Sequence, residues 1–496
     1  MRAKSDLIDF RSLKQVHIVG VCGTLMGAFA AFLKRKGILV TGSDQNIYPP
    51  MSDVLRDAGV ELLTGYRKEN LMREGVRPDL VVIGNVIRAD NPEAIAAIQE
   101  GYSYASLPEA MEKLFLQKTR NLVVAGTHGK TTTSSILAHT LVRCKKNPSY
   151  FIGGVSYDLP VSFHLEPEEF AESGGGGHTP QLFVLEGDEY DTAFWDKVPK
   201  FNHYCPDDVI LTSVEYDHAD IYPDFPAVMR AFEGLVKRIR PGGRLISCFD
   251  YESVRSLSQR AAVPVISYGS RLETGARFTP GNVHYLGERT SFEILDQGKK
   301  VGQVTLQIPG MHNVLNALAV WIQCQELGVE PKYIADALNN FKGVKRRQEV
   351  KGEVGGVLVI DDFAHHPTAV RETLRALRAK YPTRRLVTAF EPRSATSRRK
   401  VFQKDYAAAL GEADVVYISA PFDQSRIAAD DQFSSETLVD DLKRTGKEAQ
   451  VFKTVEEGVQ VLANASKSGD LVAVLSNGGF GEFIPKLLAL LPVRSR

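Results

Sequence analysis

The chain has 496 residues, with 60 Lys+Arg balanced by 60 Asp+Glu, 43% hydrophobic residues and 24% charged residues. That length predicts two to four domains, and the balance excludes an overall field that would gather nucleic acid or an anionic membrane, so any anionic ligand must be held by a local site. The five cysteines, Cys22, Cys144, Cys205, Cys248 and Cys324, lie far apart and form no CxxC pair. This argues against a zinc ribbon or a disulfide framework and fits a reducing compartment. The N-terminus "MRAKSDLIDF" carries acids where a signal peptide would be apolar, and no run of about 18 apolar residues follows. The expectation is a cytoplasmic protein with neither a membrane nor a nucleic-acid partner.

The first segment reads strand, glycine turn, helix. Residues 16–19 predict a buried strand and residues 25–36 a helix stopped by Gly37. The turn holds Gly20, Gly23 and Gly27, but the dinucleotide fingerprint G-x-G-x-x-G needs glycine where Cys22 stands. "ILVTGSD" ends at Asp44, where a Rossmann fold places its ribose-binding acid, and "DLVVIG" ends at Gly84. On this segment alone a dehydrogenase remains open, and the "GNVIRADNPE" stretch reads equally as an ordinary βα loop.

The second segment opens on "NLVVAGTHGKTTTSSILAHTL" and continues through the strands "LFVLEGDE" and "DVILTSVEYDH". An apolar strand, glycines and a helix start place backbone N–H groups and a helix dipole against an anion. Gly126, Thr127, His128, Gly129, Lys130, Thr131 and Thr132 form this candidate phosphate cradle. Lys130 would meet the β- and γ-phosphates and the Thr131 hydroxyl Mg²⁺. The strict pattern misses by one position, since Val124 stands where the first glycine belongs. Glu186 and His218 each end an apolar strand, where such folds bind ligands, and both suit Mg²⁺ or Mn²⁺. Glu189, Asp188 and Asp191 add negative charge with no role that spacing assigns. "AESGGGGHTP" at 171–180 has no periodicity and reads as a flexible surface loop.

The third segment runs "GVLVIDDFAHHP", "RRLVTAFEP", "DVVYISAP" and "DLVAVLSNGGFGEF", each strand leading to a turn and a helical pattern. Such alternation predicts a parallel, doubly wound sheet in every segment, an α/β protein. Boundaries fall in the polar stretches "LQKTRN" and "NNFKGVK", giving domains 1–118, 119–342 and 343–496. The pair His365 and His366 does not read as a metal site, because adjacent residues on a turn point apart; substrate contact or packing at the helix start before Pro367 is expected. Arg398, Arg399 and Lys400 read as a solvated helix face.

In order, "GTHGKTTT", "EGDEYD", "DHADIY", "GMHNVLNALAV", "GVKRRQEV" and "DDFAHHPTAV" resemble the Mur ligase family over nearly the whole chain. The resemblance implies an ATP-dependent amide-bond ligase of peptidoglycan precursors with three domains: Rossmann-like UDP-substrate-binding, central phosphate-loop ATPase, and Rossmann-like C-terminal. It further implies ATP contacts for Asn313 and Asn316 at the adenine, Arg347 at the phosphates and Asp362 at the ribose. Lys130, Thr131, Glu186 and His218 would serve the γ-phosphate and the metals. The UDP moiety would dock at Gly20, Gly23, Asp44 and Asn85, with His365 near substrate and Arg393 on a carboxylate of the incoming peptide. "SDQNIYPPMS", "KFNHYCP", "EPRSAT" and "LSNGGFG" resemble the branch that joins UDP-N-acetylmuramate to the tripeptide L-alanyl-γ-D-glutamyl-meso-diaminopimelate in cell-wall recycling. The branch that adds L-alanine instead would show "ADESDASF"-like and "PHRYTR"-like stretches, and remains the alternative. A nucleotide switch is disfavoured because a third doubly wound segment has no obvious job in one. A monomer or weak dimer is expected.

Two departures stand out. Several relatives carry a modified lysine beyond the "DHxD" motif; here that place falls at Phe232. The recycling branch tends to read "EPRSNT", where this chain has Ala395.

Overall fold

The structure, a computed structural model, describes residues 12–47, 51–72, 75–166, 180–287 and 289–491. The Gly-rich stretch expected as a loop falls, for 171–179, outside them. The chain forms two compact units. One comprises the chain up to Glu215 with Pro226–Arg277 and Ala319–Ala337; the other comprises Tyr216–Phe225, Phe278–Leu318 and the chain from Leu338.

The first unit contains two large sheets and a two-stranded hairpin. Strands Glu61–Thr64, Leu39–Asp44, Gln15–Val19, Leu80–Ile83 and Tyr104–Ser106 pair in that spatial order, all parallel. Sequence order 3-2-1-4-5 is the half-Rossmann arrangement, whose crevice opens at the strand C-termini. Val16, Ile18 and Val19 are fully buried, as a strand covered on both faces demands. Helix Thr24–Arg35 follows the glycine turn and ends before Gly37, whose φ of +86° only glycine adopts freely.

The unit's second sheet runs Val265–Tyr268, Arg244–Cys248, Asp208–Leu211, Arg120–Ala125, Leu182–Gly187 and Ser149–Phe151, all parallel, with antiparallel Phe163–His164 beyond. An aromatic cluster joins the two sheets: Phe163 packs edge-on against Phe32 at 4.6 Å and lies 5.9 Å from Phe29. Trp195, on the turn of the hairpin Asp191–Ala193/Asp196–Pro199, sets its ring against Tyr104 of the first sheet at 5.4 Å. Phe232, on helix Phe225–Lys237, is fully buried against Phe201 at 5.4 Å. The residue expected at the place of the family's modified lysine is therefore core.

In the second unit a six-stranded sheet orders Glu349–Val354, Val357–Asp362, Asp470–Leu475, Arg385–Phe390, Val415–Ser419 and Glu448–Phe452. All pairs are parallel except the first. The period of two sorts its side chains between faces. Leu358, Ile360, Leu386, Phe390, Leu471 and Leu475 meet helices Pro367–Lys380, Gln403–Leu410 and Ser435–Arg444. Val357, Val359, Val387, Val472 and Val474 meet helices Val455–Ala465 and Phe483–Leu490.

Strands Phe278–Leu286, Arg289–Asp296 and Lys299–Leu306 form an antiparallel meander that no sequence pattern announces. Pro280 and Gly281 interrupt the first strand's pattern, and its register shifts at Gly281/His284. Arg398 and Arg399 also differ from expectation, for Arg398 lies on a turn and Arg399 in a bridge to Gln432, whereas Lys400 is exposed at the start of the short 3-10 helix Lys400–Phe402. Arg398 donates to Asp423 O at 2.5 Å, and Arg399 pairs with Asp431.

Candidate active site

Strand Arg120–Ala125 delivers the chain to Gly126, whose φ is +137°. A Cβ there would strike the Thr212 hydroxyl and lie 2.8 Å from Ser213 N, so only glycine lets the turn approach the neighbouring strand end. That strand end stitches the turn in place. Thr127 N–H donates to Ser213 O at 2.9 Å, His128 N–H to Ser213 Oγ at 2.9 Å, and Glu215 N–H to Thr127 Oγ1 at 2.8 Å. His128 Nε2 lies 2.8 Å from Glu215 Oε2. Gly129, at φ +81°, starts helix Lys130–Arg143 with its N-terminus facing the cradle. Thr132 is buried in that helix's first turn.

Lys130 turns back over the loop, donating to Gly126 O at 2.7 Å and Thr127 O at 3.2 Å, and pairs with Glu189 at 3.0 Å. The Lys130 side chain is 15% exposed and that of Glu189 2%. Burial works against the ammonium, but Glu189, Asp188 and Glu186 outweigh it and raise its pKa. Asp188 in turn holds Lys200 at 2.5 Å. Burial pushes the Asp188 carboxyl up, yet Lys200 and Lys130 bring it down to about 2. Sequence spacing gave Glu189 no role; its only signal was a carboxylate three residues after a strand-end Glu.

Thr131 Oγ1 donates to Glu186 Oε1 at 2.7 Å, and Gly153 N–H donates to Glu186 Oε2 at 2.6 Å. A Cβ on Gly153 would stand 3.1 Å from that oxygen, so this glycine admits the carboxylate. Burial raises the Glu186 pKa against the pull of Thr131, Gly153 and Lys130. A hydroxyl oxygen beside a buried carboxylate is a hard-oxygen donor set that fits Mg²⁺ or Mn²⁺.

In the first sheet, Gly20 N–H donates to Ser43 O at 2.8 Å and Cys22 N–H to Asp44 Oδ2 at 2.9 Å. Asp44 thus closes the glycine turn that leads through Gly23 into the helix, and Asn85 is exposed at the end of the neighbouring strand.

The second unit carries the remaining residues. Asn313, on helix Met311–Glu326, donates from Nδ2 to Pro309 O at 2.7 Å and accepts from Asn316 Nδ2 at 3.3 Å. The Arg347 guanidinium lies 4.6 Å over the Phe363 ring, beside Asp362. Asp362 accepts from Gln348 N and Ala364 N, both at 2.7 Å. Burial raises the Asp362 pKa while Arg347 lowers it. Arg393 is held from three sides: Glu391 at 3.2 Å, the Phe422 face at 4.0 Å, and Gly478, where any Cβ would collide with the guanidinium.

His218 has φ +55°, in the left-handed region, on a segment that belongs to this second unit although the strand before it lies in the first. His365 Nε2 lies 3.7 Å from Asp217 Oδ2, and His366 Nε2 lies 3.2 Å from Tyr216 O. The two imidazoles therefore do not point apart as expected; both reach the 216–217 segment. His366 also accepts from Thr368 N–H at 3.3 Å, the helix-start role foreseen for the pair. The structure brings Lys130, Thr131 and Glu186 together, and Arg347 beside Asp362; His218 is fixed within its own unit.

A glycine-turn cradle with an inward Lys and Thr on a central parallel sheet defines a nucleotide-binding α/β protein of the phosphate-loop class. Family models narrow that class. The Mur ligase family catalytic domain matches residues 15–119, the Mur ligase middle domain 124–324, and the Mur ligase glutamate ligase domain 346–478. The chain is 37% identical to UDP-N-acetylmuramate–L-alanyl-γ-D-glutamyl-meso-2,6-diaminoheptandioate ligase of Escherichia coli, covering 96% of this chain and 97% of that one. The same ligase of Haemophilus influenzae is 34% identical over 97% of this chain and 100% of its own length. A UDP-N-acetylmuramate–L-alanine ligase of Alkaliphilus metalliredigens is 32% identical over 97% and 98%. The crystal structure of a murein peptide ligase from Psychrobacter arcticus superposes with TM-score 0.71 at 31% identity, over 97% of this chain and all of that one. The chain belongs to the Mur ligase family, and it is an ATP-dependent ligase that forms a C–N bond. Among the described residues no helix is long and apolar enough to cross a membrane.

Proposed function

We propose that this ligase joins UDP-N-acetylmuramate to L-alanyl-γ-D-glutamyl-meso-diaminopimelate, returning a recovered peptide to peptidoglycan synthesis. The observation that carries the branch is the seat of Arg393. Its guanidinium is gripped by Glu391, Phe422 and Gly478. Glu391 and Gly478 come from "EPRSAT" and "LSNGGFG", two of the stretches in which the sequence resembles the recycling branch and not the L-alanine-adding one. A planar, preoriented fork suits a peptide carboxylate. UDP-sugar and ATP as co-substrates fit a cytoplasmic location.

A carboxylate is a poor acyl donor because an oxide would have to leave. Transfer of the ATP γ-phosphoryl group to the muramyl carboxylate makes an acyl phosphate; the peptide α-amine attacks it, phosphate leaves, and an amide remains. Such transfer asks mainly for position and charge neutralisation. The cradle N–H groups and Lys130 provide both, with Lys130 exchanging Glu189 for the γ-phosphate. Asn313 and Asn316 would serve the adenine, Arg347 the phosphates and Asp362 the ribose; Gly20, Gly23, Asp44 and Asn85 would serve the UDP moiety, and His365 the substrate. Thr131, Glu186 and His218 would hold the divalent cation, Mg²⁺ or Mn²⁺, which would supply Lewis-acid stabilisation of phosphate charge.

The test is product formation followed by mass spectrometry with ATP, Mg²⁺, UDP-N-acetylmuramate and the tripeptide. Lys130→Ala is expected to abolish the amide product while leaving the circular dichroism spectrum intact. Retained turnover in that variant refutes the role given to Lys130.

A further inference from the structure

The backbone around His218 is held in an unusual way. His218 adopts a left-handed conformation that a non-glycine residue keeps only when its surroundings over-determine it. Its N–H donates to Asp217 Oδ1 at 2.7 Å and its carbonyl accepts from Ile221 N–H at 2.9 Å, and a hydroxyl far away in sequence braces both neighbours. Thr396 Oγ1 lies 2.6 Å from Asp217 Oδ1 and accepts from Ala219 N–H at 3.2 Å. A carboxylate only accepts, so the single hydroxyl proton goes to Asp217, and a lone pair is left for Ala219 N–H. One atom thus ties the residue before His218 to the residue after it.

The tie is buried and itself anchored. Thr396 is 2% exposed, on the turn that follows Arg393. The adjoining Ser394 and Ser397 hydroxyls bond one another at 2.9 Å, and Ser397 N–H donates to Ser394 Oγ at 3.0 Å. On the other side of Asp217, His365 stands at 3.7 Å, its own backbone carbonyl accepting from Tyr406 OH at 2.5 Å. Tyr406 is fully buried in the core beneath this sheet. The His218 peptide is therefore referenced to the C-terminal sheet through His365 and through Thr396, which touches both flanks.

We propose that Thr396 is a positioning residue for the divalent-cation site, its hydroxyl locking residues 217–219 so that His218 presents its imidazole to the metal in one fixed orientation. The inference rests on the reading of His218 as a metal ligand. Thr396 acts through the backbone on either side of His218.

The experiment is Mn²⁺ binding to the full chain with a non-hydrolysable ATP analogue, read by electron paramagnetic resonance of free Mn²⁺ without turnover. Thr396→Val keeps the shape and removes both hydrogen bonds; it is expected to weaken Mn²⁺ at least about tenfold, as loss of an outer-shell support does. Thr396→Ser restores the hydroxyl and is expected to bind within about twofold of the parent. Should the valine variant fail to fold by circular dichroism, Thr396→Ala removes the same hydroxyl without bulk and decides the matter. His218→Ala is the control for the underlying reading. If it weakens Mn²⁺ while the Thr396 variants bind like the parent, the positioning role is overturned and the metal reading stands. If His218→Ala leaves Mn²⁺ binding unchanged, the metal reading falls and the inference with it.

Discussion

At the scale of single residues, the phosphate cradle is organised by charges that find each other before any nucleotide arrives. Lys130 is satisfied by two loop carbonyls and Glu189, a nearly buried pair. Breaking such a pair from one side leaves an uncompensated ion. Glu189→Gln is therefore expected to lower the stability of the nucleotide-free protein by about 3 kcal/mol. Denaturant unfolding should show that deficit shrink with a saturating ATP analogue, because phosphate then compensates Lys130. A deficit unchanged by nucleotide would mean Lys130 does not leave Glu189. The Arg393 seat gives a second expectation. Gly478→Ala puts a methyl onto the guanidinium, and the tripeptide KM should rise about tenfold, the loss of one charge-assisted hydrogen bond, with the ATP KM unmoved. Lys130, Thr131 and Glu186 were legible because the strand, turn and helix carry them in a fixed order. Glu189, Gly153 and Gly478 were not, since each matters only through a close approach that folding creates between distant stretches.

At the scale of elements, the parallel strands could be read from apolar runs closed by glycine turns, as at Gln15–Val19 and Arg120–Ala125. The meander Phe278–Leu306 could not, because proline, glycine and a bulge break its alternation. Neither could the bridge at His203, which joins three elements of the first unit. Its Nδ1 lies 2.8 Å from Glu112 and its Nε2 2.8 Å from Asp196. Both nitrogens face carboxylates, so both donate only when the ring is charged. Burial lowers the His203 pKa, but these two hydrogen bonds prevail and raise it above the ordinary 6.5. A pKa raised on folding adds stability that is fully present below the unfolded value and is lost as pH rises through the folded one. His203→Gln should thus cost about 2 kcal/mol near pH 6. The difference from the parent should narrow as pH climbs beyond the raised pKa, as unfolding titrations at several pH values would report. An equal cost at every pH would contradict the charged bridge.

At the scale of the whole molecule, the described strands form three large sheets and a two-stranded hairpin, and the contacts gather the chain into two units. Phe163 and Trp195 explain why the first two sheets form one: each inserts aromatic surface against the N-terminal sheet's elements. No pattern in "VSFHL" or "AFWDK" announces this, because aromatic residues at short spacing read equally as ordinary core. The segment Tyr216–Phe225 likewise belongs by contact to the C-terminal sheet, although its sequence continues a central strand. Order along the chain fixed which motifs were present but not which unit would hold them.

The acceptor decides which ligase this is. Phosphate release measured with ATP, Mg²⁺ and UDP-N-acetylmuramate, comparing L-alanine with the diaminopimelate tripeptide, tests it directly. Release that depends on the tripeptide, with L-alanine inert, is the predicted result. Release supported by L-alanine alone would contradict the proposed substrate and leave the ligase class standing.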